Sequence, residues 1–195
     1  MGLIGKVSTR LRRDAGVGVE RTYLYACECG AVESARPLDP ALALGLVPAC
    51  DIESLATLGF ADPDEWRERL ARGDRCHGAW IGHELVHYSW VQTTGHHPIG
   101  AAGIEVSVRP GDVWIYNCRT ADLHRGKRIY PATLRAIATD YAGAVARTAW
   151  IYTSSANTAS QRGITRVGFV QRATLRALRL GRRFRPLSTQ HLPPS

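Results

Sequence analysis

Val113-Trp-Ile-Tyr-Asn-Cys-Arg-Thr120 runs through Ala121-Asp-Leu into His124-Arg-Gly-Lys-Arg128 and on to Ile129-Tyr-Pro-Ala-Thr-Leu-Arg-Ala-Ile137. The first block is rich in aromatic and β-branched residues and reads as a strand. From Tyr130 onward the period changes: Tyr130, Leu134, Ile137, Tyr141 and Val145 line one face of an amphipathic helix. Pro131 falls in the first turn of that helix, where its missing N–H would have no partner anyway. Between strand and helix lies a basic, glycine-containing turn. Outward amides, the positive end of the helix dipole, and the charges of Arg125, Lys127 and Arg128 make such a turn an anion site.

Working outward, Ala149–Ser154 reads as a further strand, Asn157–Val167 as a short helix, and Gly168-Phe-Val as the start of closing strands. Upstream, Arg21–Cys29 is a first strand, and Pro37 to Pro48 is loop-like. Short helical pieces follow, the clearest from Pro63 to Gly73 with Asp62 or Asp64 as its cap. Ala79–Val91 reads as a hairpin turning at Gly82–Glu84, and Thr93–Gly103 as loop. Ile104–Arg109 and Val113–Thr120 form an expected second hairpin about Pro110-Gly-Asp, and Pro186–Ser195 an expected frayed tail. These elements predict one α/β domain over residues 1–185. Its mixed, mostly antiparallel sheet has about six or seven strands flanked by helices, and residues 186–195 follow as a flexible tail.

The helix opening Asn157-Thr-Ala-Ser160 leads to Gly168-Phe169 one strand beyond the basic turn. Over residues 76–180, this order and separation resemble the GNAT superfamily of coenzyme A-dependent acyltransferases. That family has strand, then Arg/Gln-x-x-Gly-x-Gly/Ala opening a helix, then strand, then Asn-x-x-Ala/Ser before Gly-Phe. Arg125, Asn157, Ser160 and Gly168-Phe169 match. The resemblance implies an acetyl-CoA donor, a small-molecule amine acceptor attacked directly in a ternary complex, and a slot where two central strands splay. Backbone groups of Cys118, Arg119 and Thr120 would pair with the pantetheine arm. Amides of Gly126, Lys127, Arg128, Ile129 and Tyr130 would hold the pyrophosphate, and Asn157 and Ser160 would touch the arm from the far side. Homodimers are common in the family.

Three departures bear on chemistry. Arg128 and Tyr130 stand where the family has small residues, and Pro131 removes one more amide. Ile164 occupies the position of the tyrosine that often protonates the leaving thiolate. A base must accept the amine proton, and Glu105, Tyr116 and Asp122 are the candidates, on or beside the strands bordering the slot. Cys118 as an acyl carrier is outweighed by its reading as a buried strand thiol. Trp80, His87, Tyr88 and Trp90 on the first hairpin are candidates for an acceptor pocket or for core.

Composition sets the outer bounds. The chain has 195 residues, 25 basic and 17 acidic, for a net charge of +8. Residues 141–195 hold nine arginines and no acidic residue, an asymmetry that points to a polyanionic partner. A nucleic-acid binder using Arg172, Arg176, Arg179, Arg182, Arg183 and Arg185 is the alternative reading, although no nucleic-acid fold motif is visible. His83-Glu84-Leu-Val-His87 matches the zinc-hydrolase string His-Glu-x-x-His, but its β-forming surroundings separate the two imidazoles, so no metal is expected. No apolar run approaches the length of a spanning helix, and the first residues lack a secretion-type apolar block. Five cysteines, an odd number, suit reduced thiols. The expectation is a cytoplasmic protein with no membrane partner.

Overall fold

A computed structural model describes residues 17–31, 40–59, 62–143 and 147–191. Its strands are β1 (Val17–Glu28), β2 (Leu42–Leu46), β3 (Arg75–Ile81), β4 (Glu84–Gln92), β5 (His96–Ile99), β6 (Ile104–Ser107), β7 (Asp112–Thr120), β8 (Thr148–Ser154), β9 (Val170–Leu180) and β10 (Arg183–His191). Its α-helices are α1 (Pro63–Ala71), α2 (Ile129–Asp140) and α3 (Thr158–Thr165), with 3-10 segments at Ala49–Leu58, Gly100–Ala102 and Asp122–His124.

Eight strands form one sheet in the order β10-β9-β1-β8-β7-β4-β3-β2, and β5-β6 form a separate pair. Only β7 and β8 are parallel; every other pairing is antiparallel. The parallel pair needs a crossover, and α2 supplies it. The helix begins one residue before Tyr130 and ends at Asp140; Val145 lies outside the described residues. Its apolar side, with Leu134 and Ile137 fully buried, packs on Val113, Ile115 and Ile151 of the parallel pair. On the opposite sheet face, the Ala49–Leu58 segment and α1 cover one half through Leu55, Trp66 and Trp90. The β5-β6 pair covers the other half through Ile99, Trp114 and Leu175.

The mixed, mostly antiparallel architecture is as expected, with eight strands in the main sheet. Three details differ. Ile104–Ser107 pairs with His96–Ile99, within the segment read as loop, and not with Val113–Thr120. Pro98 inside β5 hides it from a sequence reading, since proline is tolerated only on edges. Leu42–Leu46, also read as loop, is the edge strand beside β3. Residues 186–191 belong to β10 and are not a frayed tail. The first strand lies in the interior of the sheet, between β8 and β9.

Candidate active site

The site begins where the parallel pair ends. β7 and β8 are in register from Asp112–Thr148 to Ile115–Ile151 and then part. Two residues on, Asn117 has φ 45°, a left-handed conformation that Asn tolerates better than most residues. This bulge reverses the strand's alternation. Tyr116 faces the α1 side, whereas Cys118 faces the α2 side and packs against its core.

On the α2 side the parting strands open onto a cleft of about 620 Å³. The cleft brings together all the expected cofactor-side residues except Lys127: Cys118–Thr120, Arg125, Gly126, Arg128–Tyr130, Asn157 and Ser160. Arg162 and Arg166, which sequence reasoning missed, also line it. Their signal was present, since i and i+4 on a helix share a face. His87 lines it too, its Nδ1 2.7 Å from Thr120 Oγ1 and its Nε2 2.9 Å from Ser89 Oγ. Complete burial lowers the His87 pKa to about 3, so the ring is neutral.

The turn keeps its glycine-like backbone without its glycine. Arg128, at the N-cap of α2, has φ 60° and makes no side-chain cap bond. Its side chain points outward, exposed, and the amides that follow remain free. Tyr130 lines the cleft with its hydroxyl 3.3 Å from Ser160 Oγ on α3, and burial holds that hydroxyl well above the usual phenol range. Asn157 caps α3, its Oδ1 accepting from Ser160 N at 3.1 Å. Ile164 is fully buried in the core. The Cys118 thiol is pushed up to about 12 by burial and is therefore protonated at neutral pH.

The three base candidates separate. Glu105 is exposed on β6. Asp122 is exposed beyond β7 and paired with Arg125 at 2.8 Å. Tyr116 alone stands at the parting of the strands. Its hydroxyl donates to the buried Asp74 carboxylate at 2.6 Å, which also receives Arg72 at 3.0 Å. Desolvation, then the Asp74 bond, raise the Tyr116 pKa. The buried Arg69 guanidinium lies 5.1 Å from the Tyr116 ring and 5.2 Å from the Trp90 ring. With the Asn117 amide oriented so that its oxygen faces this guanidinium, Arg69 donates to it at 2.6 and 3.0 Å. Trp90 and Tyr88 are buried in the core, as the packing alternative had it.

His83 is exposed at the β3-β4 turn and His87 is buried within β4, so the His-Glu-x-x-His string is not on a helix. Among the described residues no cluster of three or more His, Cys, Asp or Glu is placed to hold a metal. Among them, too, no helix is long and apolar enough to cross a membrane.

One parallel pair of strands parting over a basic cleft, within an otherwise antiparallel sheet, defines a mixed α/β fold. More narrowly, the fold is that of the GNAT acetyltransferases. A GCN5-related N-acetyltransferase from Sphaerobacter thermophilus superposes with TM-score 0.59 at 16% identity, covering 88% of this chain and 55% of that one. A GNAT-family acetyltransferase from Colwellia psychrerythraea gives 0.57 at 15%, covering 86% and 58%. A functionally unknown conserved protein from Staphylococcus epidermidis gives 0.57 at 16%, covering 91% and 68%. This chain thus spans between about half and two thirds of these structures. No protein-family model and no curated protein matches the sequence.

Proposed function

We propose that residues 17–191 form one acyltransferase domain that binds acetyl-CoA in the α2-side cleft and transfers the acetyl group to an amine. One observation carries the reading. Past Ile115 the β8-facing edge of β7 has lost its strand partner, and it borders a cleft walled by the basic turn and the arginines of α3. The edge of a strand beyond the end of its ladder offers amides and carbonyls to an extended pantetheine arm as an added strand would. The free amides of the turn, with Arg128, Arg162 and Arg166, suit the phosphates. Arg128 and Tyr130 leave this fit intact, the first by adopting the glycine conformation, the second by packing beneath the cleft.

In this reading the amine lone pair attacks the thioester carbonyl, a C–N bond forms, the C–S bond breaks and coenzyme A leaves as thiolate. The chain's part is to orient the thioester at the strand parting and to take the amine proton. A cytoplasmic setting, where acetyl-CoA is made, goes with this proposal. The zinc-hydrolase and nucleic-acid readings gain no supporting geometry.

The test is a coupled thiol assay with acetyl-CoA and a panel of amines: amino acids, polyamines, amino sugars and peptide N-termini. Release of coenzyme A well above the amine-free rate with at least one acceptor is expected. Absence of release with every amine, together with no binding of acetyl-CoA, removes the proposal.

A further inference from the structure

We infer that His97 is the general base of the transfer reaction, receiving the acceptor's proton on Nε2; the inference rests on the acyltransferase reading above.

Gln92 Nε2 donates to the carbonyls of Thr94 at 2.9 Å and His96 at 3.0 Å, which fixes the orientation of its amide. Its Oε1 therefore faces His97 Nδ1, 2.8 Å away, and can only accept. His97 Nδ1 must carry the proton. Its Nε2 is left as a bare lone pair, buried and without a hydrogen-bond partner among the described residues. Buried polar atoms in native proteins are nearly always paired, so an orphaned one that is held in a fixed tautomer calls for a role.

The position of the ring supplies the role. His97, 1% exposed, stacks on Trp114 at 5.1 Å and meets Tyr116 edge-on at 4.9 Å and Tyr152 at 5.7 Å. Tyr116 and Tyr152 are the residues that follow Ile115 and Ile151, the last registered pair of β7 and β8. His97 thus sits under the parting of the strands, on the face opposite the basic cleft. An acyl group reaching through the parting from the cleft would meet an acceptor on this side. Both flanking tyrosines are only half-buried while Nε2 itself is closed off, so the acceptor nitrogen must part them to reach it.

The groups around His97 leave it the free base. The facing carboxylate, Asp74, is engaged by the Tyr116 hydroxyl and by Arg72. Burial above all lowers the pKa of the ring, to about 4, with Asp74 opposing that shift and Arg72 and Arg69 adding to it. The ring is therefore uncharged at neutral pH. In the step, the amine nitrogen bonds to the carbonyl carbon, its proton passes to His97 Nε2, and the C–S electron pair leaves with coenzyme A. The imidazolium returns its proton to solvent as the product departs.

The experiment has two parts on the full chain. Nitrogen-15 NMR of the imidazoles in the wild-type protein should show His97 as the Nδ1–H tautomer, its Nε2 unprotonated from pH 8 to about 5. Then His97→Gln is compared with wild type, using acetyl-CoA and the fastest amine of the panel. Acetyl-CoA affinity should be unchanged by calorimetry while kcat falls about 10²- to 10⁴-fold. A His97 that carries its proton on Nε2, or a His97→Gln enzyme within twofold of wild type in kcat, overturns the assignment and leaves the acyltransferase reading standing. Failure of the wild-type chain to bind acetyl-CoA instead removes that reading, and this inference with it.

Discussion

The Tyr130 ring on α2 lies so close to Gly163 on α3 that a β-carbon at 163 would fall 2.7 Å from Tyr130 Cδ1 and 3.0 Å from Cε1. A large side chain on one helix is matched by a hydrogen on the other. That match lets a tyrosine occupy a position where the resemblance leads one to expect a small residue. Gly163→Ala should cost about 1–3 kcal/mol, because the Tyr130 hydroxyl is held at Ser160 and the ring has nowhere to go. Tyr130→Ala combined with Gly163→Ala should recover part of the loss. Urea unfolding of the four proteins in the cycle measures the coupling, and additive losses would contradict a direct contact.

Arg128 holds φ 60° without a glycine's freedom, a conformation costing roughly 1–2 kcal/mol for a residue with a β-carbon. Glycine gives back part of this through the entropy of the unfolded chain. Arg128→Gly should therefore raise stability by about 0.5–1 kcal/mol, read from the urea midpoint. A loss of stability would mean that the guanidinium makes contacts worth more than the strain.

Tyr116→Phe removes the 2.6 Å bond to Asp74 and leaves that buried carboxylate with Arg72 alone. The expected loss is about 1–3 kcal/mol by chemical denaturation. Asp74→Asn with Tyr116→Phe should cost less than the sum of the two changes, since no charge is then left half-paired.

Buried histidines set the acid limit. The pKa of His87 is lowered to about 3, and those of His77 and His97 to about 4, from an ordinary 6.5, chiefly by desolvation. As pH falls below 6.5 the unfolded chain takes up these protons first, so the folded state loses ground from there down to about 4 for His77 and His97 and to about 3 for His87. Above pH 6.5 this contribution is fully present. The urea midpoint should be flat from pH 8 to 7 and drop between pH 6 and 4.5 by an amount equivalent to several kcal/mol. A midpoint unchanged across that window would show that these rings are hydrated in the folded protein.

The local order of elements was legible wherever a short stretch carries its own signal. The 3.6-residue period after Tyr130, the basic turn and the Asn157 cap each announce themselves, and with them most of one wall of the cleft. Pairing over long distances was not. β1 joins β8 and β9 across more than a hundred residues of chain, with contacts such as Tyr25 to Ile151 that leave no local trace. Pro98 concealed β5, the strand that carries His97. The lone pair of His97 depends on burial and on a glutamine whose amide is fixed by two carbonyls, and neither is written in a residue type. Arg162 and Arg166 were visible but were read as general basicity and not as one helix face.

The most direct test of the account is calorimetric titration with acetyl-CoA, on wild type and on Arg162→Ser. The account predicts a one-to-one complex of micromolar affinity, weakened at least fivefold by the loss of a charged phosphate partner at the cleft, about 1 kcal/mol. It also predicts that affinity falls with added salt. Absence of binding, or binding that is indifferent to Arg162, would contradict the placement of coenzyme A in this cleft.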